Sequence, residues 1–161
     1  MDMPKHAAKH EAGSEHYKHL LLMTVLSFAS MFVLMYAMVD KFSNVFVSVN
    51  QFYMAGLMTA PMVVLELWLM RSMFHDKRLN VLIVSGSVLA GVAFWILLRA
   101  QAAVTDTQFL RSMIPHHAGA VLMCTEAPLE DPALKELCAK IISSQESEID
   151  LMKAKLNTEP D

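Results

Sequence analysis

The sequence predicts an all-α protein in which three membrane-spanning helices precede an extramembrane helical hairpin. Three observations lead there. The chain is 55% hydrophobic and only 18% charged, with a mean hydropathy of +0.38, too apolar for an ordinary soluble domain. Three apolar runs, charged at most once, each have the length of a bilayer-crossing helix. The last third is more polar and places its apolar residues at helical spacing. No strand pattern, glycine-rich phosphate loop or internal repeat is present.

Residues 1–18 are polar and read as a disordered cytoplasmic tail carrying histidines. Asp2, His6 and His10 follow one another at four-residue intervals, so a weak metal site forms only if this tail turns helical. The transmembrane region covers 19–100, with spans at about 20–39, 52–70 and 79–98. The first run is too long for a signal-peptide core and lacks a small-residue cleavage site, so it reads as a retained anchor. The second contains Pro61 and Glu66. The third carries Ser85, Gly86, Ser87, Ala90, Gly91 and Ala93, which suit close helix packing.

Lysine and arginine set the expected orientation. Lys5, Lys9, Lys18, Arg71, Lys77 and Arg78 fall on one side, and Lys41, Arg99 and Arg111 on the other. This predicts a cytoplasmic N-terminus and a C-terminal domain in the periplasm or outside the cell, with the chain in a bacterial inner (cell) membrane. Asp40 and Lys41 read as markers of a membrane boundary.

The hairpin is expected over 105–157. Thr105 and Gln108 form a capping box at its start, and Asp131-Pro132 restart the chain as a second helix. On the first helix Met113, His116, His117, Ala120, Met123 and Cys124 share an arc of about 120°. Imidazole, thioether and thiol are soft ligands that suit Cu(I) better than Mg or Ca. Pro115 removes one helical hydrogen bond beside the histidines and predicts a kink. On the second helix Cys138, Ile142, Gln145, Ile149 and Met152 line one face, with Glu148 at its edge. A turn near Asp131 sets Cys124 opposite Cys138, His117 opposite Gln145 and Leu110 near Met152, to within about one helical turn. The two cysteines form a disulfide in an oxidising compartment, bind a soft metal as thiolates, or pack as small hydrophobes.

Phe109, Met113-Ile114-Pro115-His116-His117, Met123, Ile141-Ile142, Gln145, Glu148-Ile149 and Met152 together resemble the domain-of-unknown-function 305 family, with its M-x-P-H-H and Q-x-x-E-I patterns. The resemblance covers roughly 105–156. It implies a ferritin-like helical fold and a place among copper-binding proteins of copper homeostasis or resistance. Carried over by position, it makes Met113, His116, His117, Met123 and Met152 ligands, with Gln145 and Glu148 as supporting polar groups. A ferritin-like bundle needs four helices, so the resemblance implies a half-bundle completed by a homodimer.

The chain also has methionine stripes, Met31, Met35 and Met38 on the first span and Met54, Met58 and Met62 on the second, leading toward Glu66. They read either as apolar filler or as a thioether path for Cu(I) in an oligomeric transporter. Glu66 pairs with a partner or snorkels toward Arg71. A net charge of −3 and the absence of a basic, aromatic-lined face exclude nucleic-acid binding. No nucleophile–base–orienter set is present, so no enzyme is expected. The expected partners are the lipid bilayer, a copper ion and a second copy, with a metal-free structural dimer as the remaining alternative.

Overall fold

A computed structural model describes residues 4–158, with side chains from residue 15 onward. Its elements run α1 (Pro4–Leu34), two 3-10 turns (Met35–Met38 and Phe42–Asn44), α2 (Val49–Leu69), α3 (Lys77–Arg99), α4 (Asp106–Glu126) and α5 (Pro132–Thr158). No strand occurs among the described residues, so the all-α class holds. Glu15–Met38, Val49–Leu69 and Lys77–Arg99 are long and apolar enough to cross a membrane.

Residues 4–18 depart from the disordered tail expected of them. They are helical and continue without interruption into the first apolar run. Pro4 suits a first helical position, and joining an already formed helix removes the cost of nucleation. His6 and His10 lie outside the described side chains, and Asp2 lies outside the described residues.

The chain divides into two compact units. The first takes α1 up to Phe32 together with Tyr53–Ala100. Leu20, Val63, Leu67 and Phe74 form its buried cluster, with Tyr17, Met73 and Ile83 packed against it. The Tyr17 hydroxyl donates to Asn80 Oδ1 at 2.7 Å. Asp76 caps α3 by accepting from the backbone N–H groups of Arg78 and Leu79 at 2.9 and 3.1 Å. α2 runs through Pro61, and Gly56 lies under the Phe94 ring, 2.5 Å from where a Cβ would stand. None of the α3 side chains is buried, and Leu82 and Leu89 are 71% and 69% exposed. An apolar surface of this extent is stable against hydrocarbon and not against water.

The second unit takes Val33–Phe52 with the chain from Gln101 onward. Its core is Leu110, Ile114, Ala118, Val121, Ile149 and Met152, and Ile114 is wholly buried. Val39 and Phe46 pack on this core, which brings residues 33–52 into the unit beside the hairpin. Asp40 and Lys41 do more than mark a boundary. The Asp40 carboxylate accepts from Lys41 N–H at 2.7 Å and from Asn44 Nδ2 at 2.6 Å, which folds the 3-10 turn. Lys41 Nζ stands 3.9 Å from Glu146 on α5. The Tyr36 hydroxyl sits between the Phe46 carbonyl, at 2.9 Å, and the Gln51 side chain. Gly119 faces Met38, where a Cβ would meet the Met38 carbonyl at 3.4 Å.

Thr105 caps α4 as expected, accepting from Gln108 N–H at 3.3 Å. The other half of the box differs. The Gln108 side chain accepts from Val49 N–H at 2.9 Å and satisfies an orphan donor at the start of α2. Asp131 caps α5 through the Ala133 N–H at 2.7 Å, and α4 runs through Pro115 as one helix.

Candidate functional site

The hairpin register decides which side chains meet. Cys124 and Cys138 are joined by a disulfide, with Cα atoms 5.1 Å apart. This corrects their assignment as metal ligands, because a disulfide sulfur carries no thiolate charge. The same register brings Leu110 and Met152 into one buried cluster.

The buried histidine is His117. Its Nδ1–H donates to the Met113 carbonyl one turn earlier, at 2.9 Å. Its Nε2 faces Glu148 Oε2 at 2.8 Å. Glu148, not Gln145, is therefore its neighbour, one turn along α5 from the expected partner. Both oxygens are acceptors, so the arrangement is fully satisfied when both ring nitrogens carry hydrogen. The Ser144 hydroxyl donates to the other Glu148 oxygen at 2.9 Å. That hydrogen bond, and then the one from His117, hold the Glu148 carboxyl below its ordinary range. Ser144 escaped sequence reasoning, although its place four residues before Glu148 on a helix was the available signal.

His116 is exposed, and its ring centroid lies 6.1 Å from that of His117. Phe109, Met113, His116, Ala120 and Met123 recur at alternating steps of four and three, which places them on one flank of α4. Phe109 and Met123 are 51% and 55% exposed there, and Met113 is half-buried at the edge of the core. Imidazole and thioether groups thus share an open helix flank beside His117. Met152, three residues after Ile149, lies in the apolar core against which Met113 packs. Gln145 is half-buried on the packed face of α5. No group of three or more His, Cys, Asp or Glu side chains is placed to hold a metal among the described residues, a statement that leaves thioethers aside.

The other candidates lie in the first unit and are described within it. Met54 and Met58 are 37% and 44% exposed, while Met62 is half-buried. The Met31 sulfur accepts from the Thr59 hydroxyl at 3.6 Å. Glu66 is half-buried and pairs with no described side chain, Arg71 included.

Helices of membrane length and a disulfide-stapled hairpin with an open His/Met flank define an all-helical, membrane-type protein. Residues 93–156 match the family described as "Domain of unknown function (DUF305)". The chain is 32% identical over 141 residues to "Uncharacterized protein L153" of Acanthamoeba polyphaga mimivirus, covering 86% of this chain and 91% of the viral one. The chain belongs to the DUF305 family. The likeness to the viral protein extends well beyond residues 93–156, so it takes in most of the apolar helices as well. No solved structure matches.

Proposed function

We propose that this is a membrane-anchored copper-binding protein of copper homeostasis or resistance that takes Cu(I) on the open flank of α4. One observation carries the reading: Met113, His116 and Met123 share that flank, beside a His117 whose ring is already oriented. Donation from Nδ1 to a backbone carbonyl is the usual support for a histidine that ligates through Nε2. The donor set fits a soft monovalent ion. Met113, His116, His117 and Met123 would hold it. His117 joins through Nε2 when Glu148 swings aside, which is open to Glu148 because the carboxylate is on the surface. Met152 and the two cysteines take no part in this set. The ion is cargo, and no catalytic step is proposed.

Three apolar helices anchor the hairpin in a cell membrane, with the N-terminus cytoplasmic and the hairpin on the opposite face, as the lysines and arginines favour. The disulfide agrees with an oxidising compartment on that face. The viral relative keeps the setting from being bacterial by default. A two-fold pair of hairpins would cover Phe109 and Met123 and complete a ferritin-like bundle.

The test is thermal melting of the detergent-purified protein with and without Cu(I) under anaerobic conditions. Copper raises the Tm of the wild type and leaves a His116→Ala/His117→Ala variant unmoved. Equal stabilisation of both proteins contradicts the assigned site. A structural reading is favoured by one observation, that His117 is already satisfied by Glu148 and Met113. It predicts no shift in either protein and a dimer that forms without metal.

A further inference from the structure

The first unit carries a feature that copper binding does not use. An open groove of about 680 Å³ runs along the start of α3. Val81, Leu82, Ser85, Gly86 and Leu89 line it, all on the one face of α3. A Cβ at Gly86 would meet nothing within 4 Å, so the notch results from missing side-chain bulk. Lys77 and Arg78 stand at one end. Both are exposed, and among the described residues neither side chain has an ion-pair or hydrogen-bond partner. Asp76, the nearest carboxylate in sequence, is occupied in capping the helix backbone. Arg71 in the preceding turn is likewise exposed and has no partner among the described residues.

We infer that this groove binds an anionic phospholipid, its phosphate on Lys77 and Arg78 and one acyl chain in the Ser85–Gly86 notch. Exposed cations at the end of an apolar, membrane-length helix match the two ends of such a lipid in charge and in polarity. The rival occupant is α3 of a second copy, for which small residues are also suited. Two copies sharing one membrane orientation would bring Lys77 and Arg78 against their own equivalents about a two-fold axis, and like charges oppose that pairing. A phosphate neutralises the same cations. The inference rests on the membrane reading above.

The test is lipid retention by the full-length protein, measured by native mass spectrometry in mild detergent with phosphatidylglycerol and phosphatidylcholine. The wild type prefers phosphatidylglycerol by about 30-fold, taking each cation near the surface as worth roughly a fivefold factor. Lys77→Gln/Arg78→Gln reduces phosphatidylglycerol to the level of phosphatidylcholine. Gly86→Leu, which fills open space and leaves folding intact, weakens phosphatidylglycerol several-fold with both cations in place. Unchanged preference in the double variant overturns the proposal. So does a Gly86→Leu protein that loses cysteine-independent crosslinked dimer while keeping its lipid, since the notch then seats a helix. Flotation of the wild type with liposomes separates the two readings. Protein that floats without lipid preference defeats the site alone, and protein that does not float defeats the membrane reading.

Discussion

His116 and His117 are neighbours in sequence that differ in burial. One residue is a 100° step on a helix, so the exposed ring and the buried ring follow from a single turn of geometry. The sequence showed that soft ligands gather on α4. It did not show that His117 meets Glu148, because that contact depends on a register shift of one turn between two helices. Nor did it show that Met152 enters the core, since a ligand methionine and a packing methionine read alike. Two outcomes belong to this scale. In the metal-free protein, His117→Ala lowers stability by about 1–3 kcal/mol, from lost hydrogen bonds and a partly emptied site, as read by chemical denaturation. Ile114→Ala, at a wholly buried position, costs about 2–5 kcal/mol by the same measurement.

At the scale of elements, length and hydropathy made α2, α3 and the apolar part of α1 legible, and Thr105 and Asp131 marked the starts of α4 and α5. Residues 33–52 were less legible. Their role comes from long-range contacts, Val39 and Phe46 on the hairpin core and Gln108 on the Val49 amide, which no local pattern announces. The hairpin's staple makes a direct prediction. Cys124 and Cys138 are 14 residues apart, so closing that loop stabilises by about 3 kcal/mol. Cys124→Ser/Cys138→Ser lowers the denaturation midpoint accordingly but leaves Cu(I) affinity within about twofold. Loss of binding in that variant would return the sulfurs to the ligand set. In the first unit, Gly56→Ala forces a Cβ against the Phe94 ring and destabilises the packing of α2 by about 1–3 kcal/mol, seen as a lower Tm in detergent.

For the whole molecule, composition gave the membrane character and the C-terminal motif gave the family. The match over residues 93–156 supports that family, and the likeness to the viral protein covers 86% of the chain. The proposed soft-ion site rests on the His/Met flank of the hairpin.

The central claim is that the flank of α4 is the copper site. It is tested most directly by anaerobic Cu(I) titration of the detergent-purified, full-length protein against a competing chelator. The wild type should withhold copper from the chelator at one site per chain. His116→Ala/His117→Ala should lose at least 100-fold in affinity while keeping the helical content of the wild type. Retention of wild-type affinity by that variant would contradict the account.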